Sequence, residues 1–175
     1  MENYLKTISN QFEIVEYCIQ KGNSISASIL LYSMIDSFSW LCNTKDKKHV
    51  GERFITWVDD WLLPTGYPEC SAKDLYGARC GLNHRLTGES DLFDKGQAKR
   101  IIYTYGKENT DFIDSLRTSF PEHPNIYALN LNKFLNAIDK AMTNCFTFCM
   151  KDERLKKSLM AKIDSIYVDV DLGNA

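Results

Sequence analysis

From Ile25 to Leu41 the chain reads ISASILLYSMIDSFSWL, apolar on nearly every side of a helix and charged only at Asp36. A helix with one polar face can lie on a surface, but one without must be surrounded. The chain therefore has to supply several further elements that pack around this one. Ser24, just before it, is placed to cap it.

The surrounding elements are legible as periodic stripes. Tyr4, Ile8, Phe12, Val15 and Ile19 recur at three- and four-residue spacing, which predicts a first helix that Gly22 stops. A third helix starts at about Val50, with Val50, Phe54, Trp57, Val58 and Trp61 as its stripe and Pro64 and Gly66 closing it. After the loop TGYPEC, Ser71 caps a fourth helix with Ala72, Leu75, Tyr76 and Leu82 inward, and Thr87 to Ser90 (TGES) is a turn or cap. The β-branched and aromatic runs Ile101–Tyr105 and Ile126–Leu129 can pair as a two-stranded ribbon, with a short helix over 108–118 between them. Leu131 to Met150 is a long helix with Leu131, Phe134, Ile138, Met142, Cys145 and Cys149 along its seam, and the tail Asp152 to Asp164 extends it. The expected fold is mainly all-α, a bundle of four or more helices with a small ribbon, forming one domain over residues 1–175.

Composition agrees with one packed domain. At 175 residues, 44% apolar and 25% charged, the chain can bury a core without metal or disulfide staples. A net charge of −2 argues against a broad cationic face for duplex DNA and leaves room for a small basic site. The N-terminal segment lacks the charged-then-apolar order of a signal peptide, and no apolar run has spanning length, so a cytoplasmic protein with no membrane partner is expected. The six cysteines contain no CxxC pair, and free, mostly buried thiols follow. Without a Gly-rich phosphate loop, a GxSxG elbow or HExxH, readings as a nucleotide triphosphatase, serine hydrolase or zinc protease lose their usual support.

One helix breaks its own pattern. With Leu75 at zero and about 100° per residue, Leu82 falls near −20°, Ala72 near 60°, Asn83 near 80° and Tyr76 near 100°, while Arg79 falls near 40°. A guanidinium in the middle of an apolar stripe is costly to desolvate unless it meets a carboxylate, an anion or a partner subunit. Asp36 poses the matching question in the second helix. The two can form a structural ion pair. Alternatively Arg79 grips a phosphate while His84, five residues on, moves a proton and Asn83 stands beside it, which is chemistry for phosphodiester cleavage without a metal or other cofactor. On a straight helix His84 lies about 140° from Arg79, so the two converge only if the helix ends or bends near Gly81, or if a second subunit brings its own pair.

The segment DLYGARCGLNHRLTGES, carrying Arg79, Asn83 and His84, resembles the Arg-x-x-x-x-His signature of the HEPN family of helical ribonucleases and nucleotide-binding proteins. The resemblance implies a HEPN-like bundle whose signature lies near the end of a helix and whose protomers pair as a homodimer to form one cleft. It further implies metal-independent endonucleolytic cleavage of RNA, often in toxin–antitoxin or anti-phage defence with an antitoxin or defence-system partner. Arg79 would hold the scissile phosphate, His84 would activate the 2′-hydroxyl or protonate the leaving oxygen, Asn83 would orient either, and Asp36 would support the arginine. The alternative is a non-catalytic interaction or nucleotide-binding module. There the Arg79–Asp36 pair is structural, and Trp57, Trp61 and Tyr67 serve packing or partner docking.

Lys95, Lys99 and Arg100 in KGQAKR, with Arg85 and Lys107, form the densest basic patch, which can guide an RNA backbone or be a solvated turn. Cys80 with His84, and Cys145 with Cys149, have the four-residue spacing of half a zinc site, but Cys145 and Cys149 stand among Phe146 and Phe148 and core packing is the stronger reading. No metal is therefore expected. His49 and His123 are expected to face solvent.

Overall fold

The computed structural model describes residues 2–87, 90–106 and 126–165, with His84 and Arg85 described by backbone alone. The expected helix over 108–118, His123 and Lys107 lie outside these residues. Seven α-helices and one two-stranded sheet are described: α1 (Glu2–Gln20), α2 (Ser24–Leu41), α3 (Val50–Trp57), α4 (Ala72–Arg85), α5 (Asp91–Asp94), β1 (Arg100–Thr104), β2 (Ile126–Asn130), α6 (Leu131–Lys151) and α7 (Glu153–Ile163). Among the described residues no helix is long and apolar enough to cross a membrane.

Helix α2 is the central element that its sequence demands. Ala27, Leu31, Tyr32, Met34, Ile35, Phe38 and Leu41 are buried, and α1, α3, α4 and α6 all pack against it. Fully buried Tyr32 stacks edge-on against Phe134 of α6 and Tyr103 of β1 and tilts against Phe54 of α3. Its hydroxyl accepts a 3.1 Å hydrogen bond from that of Tyr103, which satisfies a polar group in an otherwise apolar knot.

Three boundaries differ from expectation, each for a local reason. Asn23, rather than Ser24, is the N-cap of α2, because Gly22 at φ 70° ends α1 and Asn23 carries the non-helical backbone. Helix α3 passes into a π turn over Val58–Leu62 and a 3-10 turn over Leu63–Thr65 before Gly66, at φ 91°, closes it. Its first expected stripe residue, Val50, is exposed. The tail does not prolong α6: Asp152 leaves helical geometry (φ −107°, ψ 119°), and its carboxylate accepts from the Leu155 amide at 2.9 Å to start α7.

The two strands pair in parallel with Arg100 opposite Ile126 and Thr104 opposite Asn130. Asn130 ends β2 and caps α6 by accepting from the Lys133 amide. Its own amide donates to the Tyr67 hydroxyl at 2.7 Å.

Candidate functional site

Helix α4 begins in a closed capping box. The Ser71 hydroxyl accepts from the Asp74 amide at 3.1 Å, while Asp74 Oδ2 accepts from the Ser71 amide at 2.8 Å. The other oxygen of Asp74 accepts from the Lys99 amide at 2.6 Å. One buried carboxylate thereby ties the start of α4 to the segment leading into β1. At Gly77 an added Cβ would come within 3.0 Å of Ala98 Cβ and 3.2 Å of Ser90 Oγ, so glycine lets α4 lie this close to that segment without displacing either neighbour.

Arg79 comes off the inward face of this fixed helix and meets Asp36 of α2. Its Nε and Nη2 both donate to Asp36 Oδ2 at 2.8 Å. The side chains are 17% and 21% exposed, respectively. Burial alone would depress the guanidinium pKa, but the bonds to Asp36 outweigh it and hold that pKa above its ordinary value. The second carboxylate oxygen, Oδ1, is buried with no hydrogen-bond partner among the described residues. Tyr76 and Cys80 flank the guanidinium on α4, and burial together with Cys80 raises the Tyr76 hydroxyl pKa. In the sequence Tyr76 is one more stripe position, and Cys80 draws notice only for its spacing from His84.

The remaining expected residues are arranged as follows. Asn83 is exposed one turn beyond Arg79. Helix α4 runs through Gly81 to Arg85 and ends at Leu86 in left-handed geometry (φ 53°). It does not stop at Gly81, so on a regular helix the His84 Cα lies about 140° around from that of Arg79. Lys95 and Lys99 are exposed and Arg100 is half-buried at the head of β1. The Lys99 amide sits at Asp74, about 15 Å along the helix from His84 at 1.5 Å per residue. The basic segment and the His84 backbone therefore lie toward opposite ends of α4.

His49 is exposed at the N-cap of α3, as its sequence suggests. Trp57 is buried, and Trp61 packs against Phe148 at 5.2 Å. Tyr67 is half-buried and bonded to Asn130. All three take part in packing.

Among the described residues, the donor set close enough for a shared metal ion is Cys42, Cys145 and Cys149, whose sulfurs all lie within 4.8 Å of one another. It stands six residues beyond Asp36 on α2 and on a different face. Cys42 is what the four-residue spacing of Cys145 and Cys149 left out, since more than a hundred residues separate it from them. No family model, curated protein or solved structure matches the chain.

Proposed function

We propose that this chain is a metal-independent endoribonuclease of HEPN type, working as a homodimer in a toxin–antitoxin or anti-phage role. The observation that carries the reading is Arg79. It is a guanidinium held on an apolar helix face by a single carboxylate oxygen, with donors to spare and a histidine near the end of the same helix. A forked cation fixed in a partly dried site suits a phosphodiester oxygen better than a mobile surface lysine would.

The chemistry follows from the residue types. Arg79 binds the non-bridging oxygens of the scissile phosphate and offsets charge that grows in the transition state. His84 takes the proton of the ribose 2′-hydroxyl, whose oxygen attacks phosphorus, or gives a proton to the departing 5′-oxygen. The P–O5′ bond breaks, leaving a cyclic phosphate and a free 5′-hydroxyl. Asn83 orients the phosphate or the ring, Asp36 fixes the rotamer of Arg79, and Lys95, Lys99, Arg85 and Arg100 hold the backbone on either side. Because Arg79 and His84 diverge by about 140° on one helix, the pair that shares a phosphate comes from two protomers facing across a two-fold axis.

The second reading, a non-catalytic interaction or nucleotide-binding module, is favoured by the same ion pair: Asp36 already neutralises Arg79 within the chain. Incubation of the purified chain with structured RNA and excess chelator separates the two, at a temperature where circular dichroism shows it folded. The nuclease reading expects cleavage that His84→Ala abolishes. No cleavage, or equal cleavage by His84→Ala, leaves the non-catalytic module.

A further inference from the structure

The three thiols at the far end of α2 form a second constellation. Cys42 is the C-cap residue of α2, and Cys145 and Cys149 are one turn apart on α6. All three are buried, and their sulfurs lie within 4.8 Å of one another. Three sulfurs around a tetrahedral metal at about 2.3 Å stand about 3.8 Å apart, so closing on an ion needs shifts of about 1 Å or less. A core that wanted only small apolar groups here could have used alanine.

The surroundings point the same way. Tyr4 Oη, on α1, is buried with no hydrogen-bond partner among the described residues, and Cys42 and Cys145 are among the groups near it. An orphan phenol costs stability unless an acceptor arrives, and a metal-bound thiolate is such an acceptor. Lys162 of α7 donates to the carbonyls of Trp40 and Leu41 at 2.7 and 3.3 Å, which fixes a positive charge beside Cys42 and Cys149. A cavity of about 10 Å³, about the size of one water, is lined by Cys42, Arg53 and Trp57 among others, and Arg53 Nε and Trp57 Nε1 are buried without partners among the described residues.

We propose that Cys42, Cys145 and Cys149 bind one thiophilic d10 cation, Zn(II) or Cu(I), through three thiolates at the junction of α2 and α6. Each thiol loses its proton and forms one sulfur–metal bond, so a divalent ion leaves one net negative charge on the cluster, which the Lys162 ammonium faces. Zn(II) completes four-coordination with a water in the adjoining cavity, whereas Cu(I) is satisfied by three sulfurs. Oxidation to a disulfide would consume only two of the three thiols. The ion clamps α2 to α6 and takes no part in RNA cleavage.

The test uses the full chain, purified without oxygen, stripped of metal and titrated separately with Zn(II) and Cu(I) against a chromophoric chelator. One ion per chain is expected, and X-ray absorption should find three sulfurs at about 2.3 Å. A fourth, lighter neighbour is expected around Zn(II) and none around Cu(I), and the tighter of the two titrations decides which ion the site prefers. Cys42→Ser should weaken binding at least about 100-fold, while Cys18→Ser and Cys70→Ser leave it intact. No stoichiometric uptake of either ion, or fewer than three sulfurs around it, overturns the proposal. The absorption spectrum of the parent chain decides the matter even if Cys42→Ser fails to fold.

Discussion

Replacing Arg79 by Met leaves the Asp36 carboxylate facing an apolar helix, with one oxygen newly stripped of two donors and the other already unpartnered. Breaking a fully buried pair costs about 3–5 kcal/mol and losing a surface pair less than about 1. Side chains about one-fifth exposed fall between, at about 2–3 kcal/mol. Asp36→Leu should cost a similar amount by stranding the guanidinium. In a domain of this size that lowers Tm by about 5–10 °C for each single change. The double variant Arg79→Met with Asp36→Leu removes both charges and should lie within about 1 kcal/mol of the parent, giving a coupling of about 3 kcal/mol or more. Urea unfolding followed by circular dichroism measures all four corners of the cycle. Strictly additive losses would show that the two residues do not share a bond, and the reasoning about the inward arginine would fail.

Asp74→Ala removes the acceptor for the Ser71 amide and hydroxyl and for the Lys99 amide, so stability should drop by about 2–3 kcal/mol. Hydrogen exchange at the Lys99 amide should accelerate with it, and unchanged exchange would mean that the tie from α4 to β1 is absent. Tyr4→Phe deletes a buried hydroxyl that has no partner among the described residues, so metal-free protein should gain about 1 kcal/mol in the same unfolding experiment; a loss of that size would reveal a partner for the hydroxyl.

Local periodicity carried most of the helical framework. The stripe Leu131–Phe134–Ile138–Met142–Cys145–Cys149 is buried as its spacing requires, in the first helix Tyr4, Val15 and Ile19 are buried while Ile8 and Phe12 are half-buried, and the all-apolar run to Leu41 is the centre of the core. Arg79 was legible because one charge inside a regular stripe has only one face to occupy, and its partner because α2 holds a single acid. Features set by distant residues were not legible. Parallel pairing of β1 and β2 depends on how the intervening chain crosses, which a strand's own residues do not encode. The π turn at Val58–Leu62 has no periodic signature in its residues, and the break at Asp152 follows from a single cap bond. Cys42 joins Cys145 and Cys149 only through the packing of α2 on α6, and no spacing rule reaches across that interval.

The central claim is that Arg79 and His84 act on one phosphate from two different protomers. Mixing Arg79→Ala chains with His84→Ala chains, each inactive alone, tests it directly on the RNA substrate. Random pairing makes about half the dimers mixed, and each mixed dimer keeps one of two composite sites intact, so about a quarter of parental cleavage should return. If the mixture stays as inactive as its parts while gel filtration shows exchanged dimers, the two side chains do not work across an interface and the account is wrong.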